Sequence, residues 1–221
     1  MSSQTWWYVA RASGIVAWAL VSASVVFGLW VSVRLTRKRP RPAWTLDIHR
    51  FLGGLSVVFV GVHLAGLAAD SYIGFGPSEL FVPFASAWKP AAVAWGIVGL
   101  YLLLAIEVTS LLMRRLPRRF WHAVHLTSFG LFIVATVHMF SAGTDSGSSI
   151  LQWSALGVTG LVVFLTAARV LGARNARRPT ARVAAAPVDA SSVAAPEPEP
   201  VAAVSWAEDR PSRTAVATRQ R

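Results

Sequence analysis

Charged residues divide the first three quarters of the chain into long uncharged segments that are strongly apolar. A bilayer core is crossed by about 20 apolar residues, each adding about 1.5 Å along a helix. The five segments that satisfy this length lie between Arg11 and Arg34, between Arg50 and Asp70, between Pro90 and Arg114 with Glu107 as the one interruption, from Phe120 to Thr144, and from Ser146 to Ala168. The pattern therefore predicts five membrane-spanning helices.

Composition supports the same fold class. Of the 221 residues, 54% are hydrophobic and only 14% are charged, whereas charged residues make up about 25% of an ordinary soluble domain. We therefore predict an all-α, polytopic membrane helix bundle, located in the cell membrane. The chain has no cysteine, which excludes disulfides, iron–sulfur clusters on cysteine ligands, and covalently attached c-type haem.

Basic residues near the ends of the spans predict the orientation of the bundle. One side carries fifteen Lys and Arg residues: Arg34, Arg37, Lys38, Arg39, Arg41, Arg50, Arg114, Arg115, Arg118, Arg119, Arg169, Arg174, Arg177, Arg178 and Arg182. The opposite side carries only Arg11 and Lys89. The N-terminus is therefore predicted outside and the C-terminus in the cytoplasm. A nucleic-acid patch is the other interpretation of basic clusters, but their alternation with the spans favours a membrane partner and no nucleic acid.

Two segments outside the spans differ from each other in composition. Residues 179–221 are rich in Ala, Pro and Arg and are predicted to be a disordered cytoplasmic tail, which leaves residues 1–178 as the membrane domain. The connection from Asp70 to Lys89 is too apolar for a free loop. We expect it to lie on the membrane or to cap the bundle.

All five histidines lie on the second and fourth spans, which run in the same direction. Ionisable residues inside a membrane are rare and suggest a functional site, although a single one is often explained by a hydrogen bond between helices. His49 and His63 are 14 residues apart, and His125 and His138 are 13 apart. Both spacings correspond to about 20 Å along a helix. Parallel helices would therefore offer two histidine pairs at two depths of the membrane.

Two facing imidazoles can ligate a haem iron from both sides and leave no open position for a substrate, which suits electron transfer. The angular positions fit less well on ideal helices. His49 and His63 are offset by about 40°, but His125 and His138 are offset by about 140°. A bend near Gly130, or haems approached from different sides of the fourth helix, would be required.

The histidine arrangement resembles the transmembrane domain of ferric reductases and NADPH oxidases. The segment from Arg118 to His125, followed by His138, is also similar to the haem-binding membrane subunit of the bacterial methionine sulfoxide reductase system, which has an aromatic residue four positions before its first ligand. The resemblance covers roughly residues 10–170. It implies two b-type haems, one ligated by His49 and His125 on the cytoplasmic side and one ligated by His63 and His138 on the outer side.

Several neighbouring residues have less specific roles. Arg50, Arg118 and Arg119 stand beside the cytoplasmic histidines, where they would attract haem propionates or serve only as orientation signals and lipid phosphate contacts. His122 matches no ligand position and is assigned a polar or propionate contact. Trp121 is explained by the aromatic belt at the membrane surface. Glycines that would permit close approach of helices or of a flat macrocycle are Gly53, Gly54, Gly61, Gly96 and Gly99.

The predicted function is that of a di-haem membrane cytochrome b, the electron-transfer component of an oxidoreductase. The larger reductases continue into a flavin and nicotinamide domain, but this sequence contains no strand followed by a Gly-rich phosphate loop. The electron donor is therefore expected to be a separate cytoplasmic flavoprotein or a membrane quinol, with an acceptor on the outer side. Two alternatives remain open: a haem-free transporter or proton channel that uses the histidines as a relay, and a membrane scaffold that docks a partner through its basic tail.

Overall fold

The computed structural model of the chain describes residues 3–33, 44–71 and 73–177. The described residues form helices and turns. The helices are α1 (Ser3–Ser32), α2 (Trp44–Ala69), α3 (Pro77–Phe81), α4 (Pro90–Leu111), α5 (Arg118–Leu126), α6 (Ser128–Ala142) and α7 (Ser149–Arg177). The predicted tail, and the basic cluster from Arg34 to Arg41, lie outside the described residues.

Five helical segments are long and apolar enough to cross a membrane. They are Gln4–Ser32, Trp44–Ala69, Pro90–Leu111, Arg118–Ala142 and Ser149–Ala173. The prediction of an all-helical multi-pass membrane protein is therefore confirmed. The helices extend beyond the uncharged segments, since α1 includes Arg11 and α2 includes Arg50. A charge near the end of a span can reach the membrane surface through its long side chain, so the uncharged segment is shorter than the helix.

The first helix lies at the centre of the packing arrangement. It packs against α2, α6 and α7, while α4 packs against α5, α6 and α2. The closely packed neighbours of α2 are α1, α4 and the short α3, and do not include α5 or α6 within the described residues. The two histidine-bearing spans are therefore separated by a gap that α1 and α4 bound on either side.

Apolar side chains hold this arrangement together in three clusters. One joins α1, α6 and α7 through Val25, Leu29, Phe132, Val162 and Leu165. A second joins α1, α4 and α6 through Val21, Leu103, Ile106 and Leu131. A third joins α1, α6 and α7 through Trp18, Met139 and Ala155. A hydrogen bond of 3.0 Å from the Trp18 indole nitrogen to the Thr136 hydroxyl adds a polar contact between α1 and α6.

The contact between α1 and α2 is closest at Gly66. A Cβ atom at this position would lie 2.9 Å from the backbone nitrogen and 3.0 Å from the Cα of Ala10. Small residues allow membrane helices to approach closely, because packing rather than water exclusion drives their association. Gly66 therefore brings the backbone of α2 directly against that of α1.

The fourth span is interrupted rather than bent at the expected glycine. Its regular helix stops at Leu126, Thr127 forms a turn, and α6 begins at Ser128. The Thr127 amide bonds the carbonyl of Val124 at 3.0 Å, and the Thr127 hydroxyl donates to the same carbonyl at 2.6 Å. The expectation of a bend near Gly130 is therefore wrong in position. The interruption nevertheless breaks the regular helix on which the offset of about 140° was calculated.

The connection between α2 and α4 caps the bundle, as expected. Phe75 and Leu80 are buried, and the Phe75 ring packs edge-on against Trp88 with centroids 6.2 Å apart. The Tyr101 hydroxyl donates to the carbonyl of Phe81 at 2.7 Å and fixes this segment to α4. Phe81 and its neighbours Val82 and Phe84 are exposed, which is typical of a segment that also touches lipid.

The glycines expected to permit close approach fall into two groups. Gly96 faces a histidine ring, Gly53 faces the carboxyl of Glu107, and Gly99 is in ordinary contact with Val134. A Cβ atom at Gly54 or Gly61 would have no neighbour within 4 Å. No other helix therefore packs closely against Gly54 or Gly61, because these two positions lie on the exposed face of α2.

Replacing Gly66 tests the packing of α1 on α2. We expect Gly66→Ala to lower the thermal unfolding midpoint in detergent. The added methyl group would overlap backbone atoms of Ala10, which can make room only if the two helices move apart. Overpacking of this kind costs about 1–3 kcal/mol. Gly61→Ala, in open space on the same helix, is the matched control. Tryptophan fluorescence during heating gives the measurement, and equal midpoints for the two variants would contradict the close contact.

Candidate functional site

The structure brings the four predicted histidines together as two pairs across the gap between α2 and the fourth span. His49 faces His125 with ring centroids 5.9 Å apart, and His63 faces His138 with centroids 6.4 Å apart. The ring planes are nearly perpendicular, at 79° and 82°. We call His49 and His125 the first pair, and His63 and His138 the second pair. The interruption at Thr127 lies between the two pairs, so each histidine of the fourth span belongs to a different helix.

Both rings of the second pair are held by backbone carbonyls. Nδ1 of His63 donates to the Ala10 carbonyl oxygen of α1 at 2.7 Å, and Nδ1 of His138 donates to the Ala92 carbonyl oxygen of α4 at 2.8 Å. A carbonyl oxygen only accepts, so Nδ1 carries the proton in both rings. Nε2 is then the unprotonated nitrogen, which is the form of imidazole that binds a metal.

The first pair is held differently. Nδ1 of His49 lies 3.3 Å from the Ser24 hydroxyl of α1. The His125 ring stacks on Trp121, with centroids 5.1 Å apart and planes at 22°, and its Nδ1 has no hydrogen-bond partner among the described residues. A weak hydroxyl contact and an aromatic stack therefore replace the two carbonyl bonds of the second pair.

Three glycines lie directly against three of the four rings. An added Cβ would come within 2.9 Å of the His63 ring at Gly14, within 3.0 Å of the His49 ring at Gly28, and within 2.5 Å of the His138 ring at Gly96. Gly14 and Gly28 are 14 residues apart on α1, the same spacing as His63 and His49 on α2. The helices beside the gap thus offer a recess for a ring at each of these three positions.

The separation of the rings matches that of two ligands on one metal ion. Two imidazoles on opposite sides of a metal, each with a metal–nitrogen bond of about 2.0 Å, have ring centroids about 6 to 6.5 Å apart. The observed 5.9 Å and 6.4 Å agree with this spacing. Each pair supplies two nitrogen ligands, which is the number required by an iron already held by the four nitrogens of a porphyrin.

A cavity of about 250 Å³ lies beside the second pair and includes both of its rings in its lining. Gly14, Gly96 and Trp18 contribute to the walls, and Phe75 and Leu80 of the capping connection close part of it. Most of the lining is apolar, which is typical of a site for a flat, largely hydrophobic cofactor.

Apolar side chains separate the two pairs. Val57 and Val60 lie between the histidines of α2, Leu131 lies between those of the fourth span, and Val21 lies between Gly14 and Gly28 on α1. These residues pack together in one cluster with Leu103 and Ile106 of α4. The site therefore consists of two histidine pairs with an apolar layer between them.

The predicted arginines lie at the end of the bundle that carries the first pair. Arg50, Arg118 and Arg119 are all exposed, with Arg118 and Arg119 in the first turn of α5. His122 is also exposed and lies outside both pairs, with its ring 5.0 Å from that of Trp121. These positions place the arginines and His122 on the surface near His49 and His125 and not within the gap.

Two further polar contacts border the site. Arg11 forms an ion pair with Asp145 and lies 4.9 Å above the Trp7 ring, and both ion-pair residues line the cavity beside the second pair. At the other end, the half-buried carboxyl of Glu107 lies against Gly53, four residues after His49. The Arg11–Asp145 ion pair explains why a cation is tolerated inside α1.

Sequence reasoning did not identify the residues that orient the rings. The carbonyls of Ala10 and Ala92 carry no signal in the side-chain sequence, and Trp121 was assigned to the aromatic belt although it stacks on His125. Two signals were available: the spacing of Gly14 and Gly28 repeats that of His49 and His63, and Trp121 stands four positions before His125.

Comparison with known proteins adds one match. The sequence matches the family described as ferric reductase like transmembrane component over residues 13–136. This region contains His49, His63 and His125 and ends two residues before His138. No curated protein and no solved structure matches the chain. Because the match covers more than half of the sequence, including all of the second span and most of the fourth, the chain belongs to the ferric reductase-like transmembrane component family.

Proposed function

We propose that the protein is a membrane cytochrome b that holds two haems and carries electrons from the cytoplasmic side of the cell membrane to an acceptor outside. Membership of the family implies membrane electron transfer, and the family typically binds haem. The observation that carries the proposal is the presence of two facing imidazole pairs with centroids 5.9 Å and 6.4 Å apart. His49 and His125 would ligate one iron, and His63 and His138 the other.

The protein supplies binding, orientation and electrostatics, while the bound haem iron supplies the one-electron couple. His63 and His138 present Nε2 because their Nδ1 protons are held by carbonyls. The two histidines of each pair would fill both open positions of a haem iron, so the site would favour electron transfer over substrate binding. The apolar cluster around Val21 and Leu131 keeps water out of the space between the pairs.

We propose a separate cytoplasmic flavoprotein or a membrane quinol as the electron donor, which would meet the protein at the end that carries the first pair. Arg50, Arg118 and Arg119 are exposed near the first pair, where guanidinium groups would bind the propionates of that haem. His122 would make a polar contact at the same surface.

The apolar layer argues against a proton relay through the histidines. A relay requires a chain of polar groups or water between the titratable residues, whereas Val57, Val60 and Leu131 lie between the two pairs. The carbonyl bonds of His63 and His138 also direct their only N–H groups away from the facing ring. Both features favour fixed ligands over groups that pass protons.

The orientation of the bundle is tested by cysteine labelling, because the natural chain has no cysteine. We expect Gly147→Cys, in the connection before α7, to react with a membrane-impermeant maleimide on intact cells. Met113→Cys, in the turn after α4, should react only after the cells are permeabilised, because the excess of basic residues keeps that side in the cytoplasm. The opposite labelling pattern would show that the proposed direction is reversed.

Optical spectra of purified variants test the ligand assignment. We expect His63→Ala and His138→Ala each to remove the same half of the b-type absorbance, and His49→Ala and His125→Ala to remove the other half. The reason is that an iron with one remaining imidazole loses half of its protein ligation.

His122→Ala is the matched control, since His122 lies on the same helix as His125 but outside both pairs. It should retain the full absorbance per chain. Loss of one haem from this variant, or no loss from His63→Ala, would show that the pairs are assigned wrongly.

A further inference from the structure

Three of the four histidine rings contact the neighbouring helix, α1 or α4, in a similar way. In each case a glycine contacts the ring, and Nδ1 contacts the residue four positions before that glycine. The contacted atom is the backbone carbonyl oxygen for His63 and His138, and the side-chain hydroxyl for His49. The three sets are Gly14 with Ala10 for His63, Gly96 with Ala92 for His138, and Gly28 with Ser24 for His49. The carbonyl contact is made at Gly14 of α1 and again at Gly96 of α4, and this repetition on two different helices indicates a common structural cause.

Helix geometry supplies that cause. The Cα–Cβ bond of a helical residue is tilted toward the N-terminus, so a side chain covers the turn that precedes it. A side chain at residue i therefore covers the carbonyl oxygen of residue i−4, which already accepts the amide of residue i but has a second lone pair. Glycine at residue i leaves this oxygen open to a donor from another helix.

The contact distances show that the rings occupy the space that a side chain would take. An added Cβ at Gly96 would lie 2.5 to 2.9 Å from three ring atoms of His138, including 2.8 Å from Nδ1. At Gly14 it would lie 2.9 Å from Nδ1 of His63. An alanine at either position must therefore displace the atom that donates to the carbonyl.

These two glycines differ from a glycine that serves close helix packing. An added Cβ at Gly66 would overlap backbone atoms of Ala10, so Gly66 determines the distance between two helices. The neighbours of Gly14 and Gly96 are histidine ring atoms. Because Gly14 and Gly96 have no side chain, the histidine rings can occupy the space next to them.

A hydrogen bond from Nδ1 to a carbonyl fixes the tautomer and orientation of a ligating imidazole and increases its basicity. A more basic ligand stabilises the more highly charged ferric iron and so lowers the reduction potential. The second pair has two such bonds, at 2.7 and 2.8 Å. The first pair has only the 3.3 Å contact of His49 with a hydroxyl.

We propose that Gly14 and Gly96 are positioning residues for electron transfer, which open the Ala10 and Ala92 carbonyls to His63 and His138 and thereby lower the reduction potential of the haem held by the second pair. The inference rests on the proposed function, because it concerns the ligands of that haem. The inference goes beyond the proposed function because it assigns control of the reduction potential of the second pair's haem to two residues that are not ligands of the iron.

Redox titration of the full-length protein, followed by its optical spectrum, tests the inference. The haem that His63→Ala removes is first identified by its spectral contribution. We expect Gly14→Ala and Gly96→Ala each to shift the potential of that haem upward, and the double variant to shift it further, while the other haem is unchanged. Gly54→Ala and Gly61→Ala, at glycines of α2 with no neighbour within 4 Å, should change neither potential.

Retention of the haem in Gly14→Ala and Gly96→Ala with wild-type potentials would overturn the inference while leaving the proposed function intact. A wild-type protein without b-type absorbance would instead refute the proposed function itself. If either alanine variant loses the haem, the hydrogen bond from His63 to the Ala10 carbonyl is tested in a second experiment that leaves Gly14 and Gly96 unchanged.

The second arm uses His63→Gly supplied with a free ligand in the space of the missing ring. Imidazole retains an N–H group for the Ala10 carbonyl, whereas 1-methylimidazole has none. We expect both to restore the low-spin spectrum, with a lower potential for imidazole than for 1-methylimidazole. In His49→Gly, whose contact is the weaker one, the same two ligands should differ less. Equal differences at the two sites, or none at His63→Gly, would overturn the inference.

Discussion

The organisation of this protein depends on the gap between α2 and the fourth span, where four histidine rings face one another as two pairs. Polar groups inside a membrane are costly unless they find partners, yet four histidines face this gap. Nδ1 of His63 and His138 donates to carbonyls of α1 and α4, His49 contacts the Ser24 hydroxyl, and His125 stacks on Trp121. The carbonyl bonds leave Nε2 of His63 and His138 free for a ligand between the helices. The helices beside the gap are placed by apolar clusters and by the close contact at Gly66.

The two ends of the gap have different surroundings, and this difference would give the haems of the two pairs different reduction potentials. The second pair lies beside an apolar cavity under the cap formed by Phe75 and Leu80, with both rings on carbonyls. The first pair lies at the end with exposed arginines and has a single weak hydroxyl contact. Cations and weak ligand hydrogen bonds both favour the reduced iron, whereas strong ligand hydrogen bonds favour the oxidised one.

Much of this fold follows from the sequence because the membrane imposes simple rules. Uncharged length located all five spans, and the histidine spacings of 14 and 13 residues led to the two pairs that the structure contains. Ideal helix geometry failed for His125 and His138, because the regular helix is interrupted at Thr127, where both the amide and the hydroxyl bond the carbonyl of Val124. The hydrogen bonds from the histidines to the carbonyls of Ala10 and Ala92 could not be predicted either. Every residue has a backbone carbonyl, and which one is used depends on which helices become neighbours. Glycine at positions 54 and 61 suggested close packing of another helix, but both residues are exposed. The residue type alone does not show which face of a helix it occupies.

The most direct test of the account is to locate iron in the haem-loaded protein, by anomalous scattering from crystals at the iron absorption edge. The account predicts two iron positions per chain, about 20 Å apart, one between His49 and His125 and the other between His63 and His138. A single iron, iron bound at His122, or no iron between α2 and the fourth span would contradict it.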